Sequence, residues 1–353
     1  MTLHDTRIEV IYPRDRGAVG LRGSLPPLSW TVNRAPDRVL GDASLFTVPV
    51  PDGEILELKV ARGEDWALGQ NYLVHAGETL QLRPAFDQRA TRLEEGLDVD
   101  GIHIDVLLPI GYDEHPNERY SVAYALDGQS LWAHSKDQFG TWDFDATLTE
   151  LGQVGATEDI ILVGIHTAVD RLNILSPVPD PQYGGGGGAQ FLTRIVDKVR
   201  PFIDQRYRTR GGPQNTGILG SSMGGLFAFY AAWTRPDVFG KAACLSSSFF
   251  WANRCCVRMV TETPLPSPRP LFYLDSGATP NEVDPKSRDN YHHTRSMLRA
   301  LTSLGFEVGK DLHRLVFPGH EHNAASWASR IALPMQLLFP RVPHVFDETR
   351  WAI

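Results

Sequence analysis

The chain has 353 residues, of which 42% are hydrophobic and 22% are charged, as in an ordinary folded protein rather than a disordered or fibrous one. Its formal net charge of -8 excludes the extended basic surface that binding to nucleic acid or to an anionic membrane requires. No run of eighteen apolar residues occurs, and the first ten residues lack the pattern of a secretion signal, so we expect no membrane partner and a cytoplasmic location. The three cysteines have no metal-ligand spacing, and we expect neither a metal nor another cofactor.

Residues 1–88 carry short alternating apolar segments separated by clusters of Gly, Pro and Asp. No long helical pattern interrupts these segments, which are IEVIYP, LFTVPV, ILELKVA, NYLVHA and TLQLRP. This spacing predicts a small antiparallel β-sandwich. Residues 85–96 are charged and weakly patterned, and we expect them to connect this domain to the next one.

The first domain resembles a starch-binding module in the segment GSLPPLSW at 23–30, and in Trp66 and the Asn71-Tyr72 pair that follow. In such modules exposed tryptophan faces stack on sugar rings, so the resemblance implies a glycan as a partner of this domain. The alternative is that Trp30 and Trp66 fill the sandwich core or its interface with the rest of the chain, because large aromatic side chains are usually packed.

From residue 97 to residue 353 the pattern changes to apolar strands separated by segments long enough for helices. The strand segments are IHIDVLLP, SVAYAL, DIILVGI, TGILG, KAACLSS, PLFYLDSG and LHRLVFPG. This alternation predicts an α/β fold with a mainly parallel sheet. Residues 191–207 and 291–306 have helical periodicity. The five glycines at 184–188 are interpreted either as a flap near the site or as an ordinary surface loop.

Residues 216–233 contain a strand, a sharp turn and a helix arranged around one serine. Gly220, Ser222 and Gly224 fit the pattern G-x-S-x-G of the nucleophile elbow in α/β-hydrolases. The glycines allow the strand and the helix to approach closely where the serine backbone is strained. Ser222, rather than Ser221, is therefore the candidate nucleophile. The alternative is an ordinary glycine-rich turn.

The other catalytic groups are expected after two later strands, because α/β-hydrolases carry the acid and then the histidine in that order. Residues 279–284 follow the segment FYLDSG, and His320 and His322 follow RLVFPG. A histidine can take the serine proton when a carboxylate fixes its tautomer, and His322 and Glu282 can supply these roles. A metal site at the two histidines lacks a third ligand at a recognisable spacing.

Three blocks of sequence resemble the esterase D and enterochelin-esterase-like group of α/β-hydrolases. These blocks are LPIGYDEHPNERYSVAYALDGQSLW at 108–132, GILGSSMGGLFAFYAAWTRPDVFGKAACLSSSFFW at 217–251 and HNAASW at 322–327. They occur in the family's order within a match that spans about 100–335. The resemblance implies a serine carboxylic-ester hydrolase that acts on a small ester and needs no cofactor.

The resemblance also implies roles for individual residues. The segment that contains Glu282 is similar to the acid segment of secreted mycobacterial mycolyltransferases in the same superfamily, which favours Glu282 over Asp275 and Asp284 as the acid. The family's short histidine motif maps to His322, with His320 as the second choice.

Two further parts of the site follow from the same resemblance. The backbone N–H of Met223 is expected to form half of the oxyanion hole, and the other donor is expected at Gly128 or Gln129. Arg171 matches a position where the family often has an arginine beside the site. It is interpreted either as a substrate contact or as part of a structural ion pair.

The segment LSSSFFW at 245–251 follows a predicted strand at the rim of the sheet where ligands bind. We expect Phe250 and Trp251 to line an aromatic pocket, with the sandwich and the glycine tract as further walls; the alternative is that these rings pack the core. The substrate is then a siderophore lactone, a feruloyl or acetyl sugar ester, or a simple acyl ester. The alternatives are an acyltransferase with the same intermediate and a glycan-binding protein with a silent hydrolase domain.

Overall fold

The computed structural model describes residues 2–138, 140–278 and 289–341, which form two units with separate apolar cores. Among these residues the strands of the first unit are Leu3–Ile11 (β1), Val19–Gly23 (β2), Arg38–Leu40 (β3), Ala43–Pro51 (β4), Ile55–Arg62 (β5), Asp65–Trp66 (β6), Tyr72–His75 (β7) and Thr79–Leu82 (β8). They form two sheets with the orders β3-β4-β1-β8 and β2-β5-β6, and β7 pairs with β5. The β-rich first unit is therefore as predicted, although β1 and β8 pair in parallel rather than antiparallel.

Trp30 and Trp66 lie on the surface of the first unit, outside its apolar core. The two side chains are 37% and 41% exposed, and their ring centroids are 6.3 Å apart. The guanidinium of Arg22 lies 4.7 Å from the centre of the Trp66 ring. The structure does not place these two rings in the core, and glycan binding by this face stays a prediction.

The second unit is built on one mixed sheet. Its strands are Arg92–Val99 (β9), Ile102–Leu108 (β10), Ser121–Leu126 (β11), Ile160–Ile165 (β12), Thr216–Ser221 (β15), Lys241–Leu245 (β16), Leu271–Ala278 (β17) and Leu312–Pro318 (β18), and a separate hairpin pairs Pro179–Asp180 (β13) with Gly184–Gly185 (β14). The sheet has the order β18-β17-β16-β15-β11-β12-β10-β9, and β12, β11 and β15 to β18 run in parallel. The predicted α/β fold with a mainly parallel sheet is confirmed.

The second unit begins at β9, a few residues earlier than the sequence indicates. Residues 92–96 belong to the predicted charged connector, but they form the first part of β9, an edge strand paired antiparallel with β10. An edge strand has a neighbouring strand on one side only, so its residues are more exposed than those of a central strand and can include charged ones. The apolar residues Leu93, Leu97 and Val99 pack against the cores of the second unit.

Helices cover both faces of the sheet, as expected for an α/β fold. In the described part of the chain they are Phe144–Val154 (α1), Arg171–Ile174 (α2), Gly188–Arg194 (α3), Arg200–Arg206 (α4), Met223–Thr234 (α5), Trp251–Glu262 (α6), Tyr291–Ser303 (α7), Ala324–Ala328 (α8) and Ala332–Leu338 (α9). A π-helical turn at Ile195–Val199 joins α3 to α4, so the predicted helix over 191–207 is one continuous helical segment. None of these described helices is long and apolar enough to cross a membrane.

A buried carboxylate of the second unit holds the chain that connects the two units. Glu114 is 1% exposed, and it accepts hydrogen bonds from the backbone N–H groups of Phe86, Asp87 and Gln88 at 2.9 to 3.0 Å. The hydroxyl of Tyr12, in the first unit, donates to the same carboxylate at 3.3 Å. The carboxylate of Glu114 therefore ties the connector and the first unit to the second unit, through hydrogen bonds that a charged acceptor strengthens.

The glycine tract at 184–188 is a packed structural element rather than an unpatterned loop. Its first two residues form β14, and the N–H groups of Gly186 and Gly188 donate to the hydroxyl and the carbonyl of Ser176 at 2.7 and 2.9 Å. Gly185 has a φ of 87°, and a Cβ at this position would lie 2.3 Å from the Ser176 hydroxyl oxygen. Glycine is therefore required there by both the backbone angle and the lack of space.

We expect Gly185→Ala to lower the free energy of unfolding by about 1 to 3 kcal/mol more than Gly184→Ala does. Gly184 has a similar φ of 72° but open space around it, so the pair separates the packing cost from the backbone cost. Urea unfolding of both variants measures the difference. Equal losses for both variants would show that the contact with Ser176 is not restrictive.

Candidate active site

Ser222 lies in the sharp turn between β15 and α5, at the carboxyl edge of the sheet. Its backbone has φ 55° and ψ −116°, a conformation that a residue with a side chain rarely adopts. A Cβ on Gly220 would lie 2.7 Å from the carbonyl carbon of Gly224, so the strand and the helix meet at this distance only because glycine is present. The N–H of Ser222 donates to the carbonyl of Leu245 at 2.9 Å and ties the turn to β16.

Three side chains from distant parts of the chain form a hydrogen-bonded line at this turn. Nε2 of His322 lies 2.9 Å from the hydroxyl oxygen of Ser222, and Nδ1 of His322 lies 2.7 Å from Oδ1 of Asp289. The structure thus brings the predicted Ser222 and His322 together. It places His320 elsewhere, with its Nδ1 3.5 Å from Nη1 of Arg330.

The carboxylate on His322 differs from the one that the sequence favoured. Glu282 lies outside the described residues, and the carboxylate at Nδ1 belongs to Asp289, a residue that no sequence motif indicates. Asp289 directly precedes Asn290 and α7, and its side chain is fully buried. The chain order serine, acid, histidine is satisfied by any carboxylate between β17 and His322. This order alone therefore does not identify Asp289 as the acid.

The buried oxygen of Asp289 is held by donors from three separate elements. Oδ2 accepts from the hydroxyl of Ser246 after β16 at 2.6 Å and from the N–H of Gly277 in β17 at 2.5 Å. Nη2 of Arg330, between α8 and α9, lies 3.4 Å from the same oxygen. The indole N–H of Trp327 donates to the Ser246 hydroxyl at 3.0 Å. Asp289 is thus positioned on both sides, by His322 on one oxygen and by these groups on the other.

Arg330 also contacts a second buried carboxylate, that of Asp275. Its Nη2 lies 3.1 Å from Oδ1 of Asp275, and the hydroxyl of Tyr273 donates to Oδ2 at 3.0 Å. Arg330 and both aspartates are at most 1% exposed. Burial raises the pKa of Asp275 from 3.8 to about 6, although the charge of Arg330 opposes this shift. The two aspartates therefore share one buried cation.

The backbone groups that were predicted to form an oxyanion hole lie at neighbouring strand ends. Met223 is the first residue of α5, so its N–H is not used by the hydrogen bonds of the helix. Gly128 and Gln129 form a 3₁₀ turn directly after β11, and β11 pairs with β15 in the sheet. The turn and the elbow therefore face the same end of the sheet, beside Ser222.

A cavity of about 470 Å³ opens onto Ser222 and His322. Its walls combine two indole rings with small and polar residues from the second unit: Asp127, Gln129, Ser130, Asp137, Gln138, Gly140, Trp142, Ala168, Arg171, Ser221, Ser222, His322, Asn323, Ala324 and Trp327. The rings of Trp142 and Trp327 are 5.7 Å apart, and the Trp327 ring meets the His322 ring edge-on at 5.0 Å. The apolar wall is thus next to the reacting groups.

The predicted aromatic wall at Phe250 and Trp251 is wrong, because neither residue lines this cavity. Trp251 is 3% exposed, and its indole N–H donates to the carbonyl of Val178 at 2.8 Å, so it packs the hairpin that carries the glycine tract. Phe250 lies against His293 of α7, with the ring centroids 5.5 Å apart. No described residue of the first unit lines the cavity either, which corrects the expectation that the sandwich forms a wall.

Arg171 lies at the cavity wall and is engaged in an ion pair. Its Nε and Nη2 donate to the two carboxylate oxygens of Asp127 at 2.6 and 2.7 Å. Of the two interpretations from the sequence, the ion pair describes its contacts, and a contact with substrate stays a prediction. Across residues 2–138, 140–278 and 289–341, no group of three or more potential metal ligands is arranged to hold a metal ion.

Residues 100–332 match the family model for the putative esterases, so the chain belongs to the esterase family. The match covers almost all of the second unit, including Ser222 and His322. The predicted resemblance to esterases of the enterochelin-esterase-like group is thereby confirmed, and the chain is a carboxylic ester hydrolase.

Individual relatives are similar to parts or to most of the chain. The uncharacterized protein YbbA of Bacillus subtilis (strain 168) is 26% identical over 223 residues, which cover 59% of this chain and 85% of YbbA. A solved ferulic acid esterase covers 72% of this chain and 100% of its own, with a TM-score of 0.54 and 16% identity. The enterobactin esterase FES from Shigella flexneri, solved in the presence of enterobactin, covers 93% of this chain and 90% of its own, with a TM-score of 0.55 and 14% identity. This last likeness extends the shared fold into the first unit.

The raised pKa of Asp275 predicts how stability depends on pH. A carboxyl group with a higher pKa in the folded state favours folding below about pH 4, and this contribution is lost as the pH rises through about 6. The free energy of unfolding of the wild type, minus that of Asp275→Asn, should therefore fall by about 2 kcal/mol between pH 4 and pH 6.5. Urea unfolding at several pH values measures it. If this difference in unfolding free energy stayed constant or rose with pH, the pKa of Asp275 would not be raised in the folded protein.

Proposed function

We propose that the chain hydrolyses carboxylic esters through an acyl-enzyme on Ser222, with His322 as the general base and Asp289 as the acid that orients it. The observation that carries this proposal is the hydrogen-bonded line from Asp289 through His322 to Ser222, with contacts of 2.7 and 2.9 Å. A serine hydroxyl is a weak nucleophile at neutral pH, and an adjacent base activates it. The elbow exposes this hydroxyl to the cavity, where an ester can reach it.

The reaction has two stages that use the same groups. Ser222 attacks the ester carbonyl while His322 takes its proton, and the resulting imidazolium is stabilised by the Asp289 carboxylate. His322 then gives the proton to the leaving alcohol, which departs and leaves an acyl group on the serine. In the second stage His322 takes a proton from water while the water oxygen attacks the carbonyl carbon of the acyl group. The bond from that carbon to the Ser222 oxygen then breaks, His322 returns the proton to this oxygen, and the acid product leaves.

The negative charge that forms on the carbonyl oxygen needs hydrogen-bond donors at fixed positions. We assign the N–H of Met223 as the first donor and an N–H of the turn at Gly128 or Gln129 as the second. Both donors belong to elements that are already in place at the ends of neighbouring strands. Donors fixed in this way stabilise the transition state without reorganising during the reaction, and each contributes about 3 kcal/mol.

The cavity supports a neutral ester with a flat or apolar group as the substrate. Trp142 and Trp327 provide aromatic surface beside the reacting groups. The described walls contain two carboxylates, of Asp127 and Asp137, and one guanidinium, of Arg171. They therefore attract a polyanionic substrate only weakly. Of the three substrate classes that the sequence indicates, this favours a feruloyl or other acyl sugar ester over a siderophore lactone that carries negative charge. Glycan binding at Trp30 and Trp66 would add to this activity without being required for it.

We expect Ser222→Ala to lower kcat by about a thousandfold or more on a panel of neutral chromogenic esters, because the nucleophilic hydroxyl is lost. The melting temperature should stay close to that of the wild type, since only one oxygen atom is removed. Ser221→Ala is the matched control for the neighbouring serine and should retain most of the activity. If Ser221→Ala were the inactive variant, the assignment of the nucleophile would be overturned.

The choice of acid is tested by a second pair of variants. Asp289→Asn keeps the shape of the side chain but removes the charge that favours the correct histidine tautomer, so kcat should fall by about a thousandfold. Glu282→Gln should change kcat by less than about threefold under the same conditions. Steady-state kinetics on one neutral ester measures both. If Glu282→Gln lost activity while Asp289→Asn kept it, Glu282 rather than Asp289 would be the acid that orients His322.

A further inference from the structure

The loop after β11 contains a buried carboxylate that the two chemical stages do not use. The side chain of Asp127 is 9% exposed, and Arg171 binds both of its oxygens. The hydroxyl of Thr167 donates to the oxygen that Arg171 Nε also contacts. We propose that the Asp127–Arg171 ion pair holds the second donor of the oxyanion hole in place, so that Arg171 is a positioning residue and not a substrate contact. The inference rests on the proposed function, because it concerns a donor of that reaction.

The backbone of Asp127 is the first reason for this assignment. Asp127 has φ 61° and ψ 45°, in the left-handed region that L-residues other than Asn and Asp seldom occupy. The residue directly after it, Gly128, begins the turn that carries the proposed donor, so the backbone angles of Asp127 set the direction of the following N–H groups. A residue in this region persists only when contacts around it hold it there. The bidentate pair with Arg171 supplies two such contacts.

The second reason is that the same contacts reach the neighbouring turn residues. The N–H of Thr167, just beyond β12, donates to the side-chain oxygen of Gln129 at 3.2 Å, while its hydroxyl binds Asp127. Gly128 is pressed against β12, where an added Cβ would lie 2.8 Å from the carbonyl carbon of Gly164. The turn at Gly128 and Gln129 is therefore held between β11 and β12, and the Asp127–Arg171 ion pair holds it on the side of the cavity.

The third reason is the position of Asp127 relative to the elbow. Its Oδ2 lies only 3.4 Å from the point where a Cβ on Gly224 would be, so the carboxylate packs against the first turn of α5. The same turn begins with Met223, the other proposed donor. One ion pair thus touches both elements that supply the oxyanion hole, and it fixes their separation.

The geometry of Arg171 argues against a direct role in binding an anionic substrate. Two of its five N–H groups are used by Asp127, in the parallel arrangement that carboxylate and guanidinium favour. Because the two opposite charges are in direct contact, their fields largely cancel at larger distances, and the attraction of Arg171 for an anion in the cavity is weak. A substrate carboxylate would have to compete with a partner that is already in place.

Kinetics on two esters with the same alcohol, one with a neutral and one with an anionic acyl chain, separates the two roles. We expect Arg171→Met and Asp127→Asn each to lower kcat by about 10-fold to 100-fold on both esters, with KM changed by less than about threefold. The double variant should be no worse than about threefold below the poorer single variant, because both changes break the same pair. Arg171→Lys keeps the charge without the planar fork, and should recover only part of the lost kcat.

Two controls make the test specific. Arg235 and Asp237 form a pair with the same two-point geometry on the surface, at 2.8 and 3.0 Å, so Arg235→Met should leave kcat and KM unchanged. The affinity of a boronic acid that mimics the tetrahedral intermediate should fall in parallel with kcat in the Arg171 variants, whereas a loss of stability alone would not produce this correlation.

The outcomes are distinct for the two proposals. A rise in KM confined to the anionic ester, with kcat unchanged, would show that Arg171 binds substrate and would overturn the inference. Full kcat in both single variants would also overturn it, provided that Ser222→Ala is inactive. If Ser222→Ala were itself fully active, the proposed function would fail instead.

Discussion

The arrangement of the site depends on the buried carboxylate of Asp289. An isolated charge of this kind is strongly destabilising in a protein interior unless donors and an opposite charge surround it. Here the donors come from Ser246, Gly277 and His322, and the opposite charge comes from Arg330. Because these residues follow β16, lie in β17 and lie in the segments after β18, the need to satisfy one carboxylate fixes several loops relative to one another.

Arg330, which both buried aspartates contact, is also close to His322 through Asp289. Asp275 and Asp289 both contact Arg330, so two buried carboxylates share this guanidinium. In the proposed mechanism an imidazolium forms at His322, next to the carboxylate of Asp289. Trp327 links the group to the cavity, since its N–H binds Ser246 while its ring touches His322. The aromatic wall of the cavity therefore also supports His322, the proposed base.

The sequence predicted the parts of this structure that depend on local patterns. The strand segments, the helix over 191–207 and the turn at Ser222 follow from apolar periodicity and from glycine positions, which are local signals. The acid could not be selected in this way, because Asp289 is distinguished from other carboxylates only by what surrounds it in space. The same limit applies to the tryptophans: Trp251 was expected in the pocket but packs against the hairpin, and Trp142 lines the cavity without any sequence signal. A periodic pattern indicates that an aromatic ring is partly buried, but it does not show which surface the ring faces.

Backbone strain and polar contacts are coupled throughout the site. Asp127, Ser222, Ser246 and Asp289 all have positive φ values, of 61°, 55°, 44° and 35°, although none of them is glycine. Each such residue costs about 1 to 3 kcal/mol, and it persists only where the surroundings determine its conformation. Three of the four are held by buried hydrogen bonds or ion pairs with charged groups, and Ser222 is held by its bond to β16. The strained backbone at Ser222 directs its hydroxyl toward the cavity and is held by a neutral backbone bond, whereas the buried charges hold the other three strained residues, which support the loops around it.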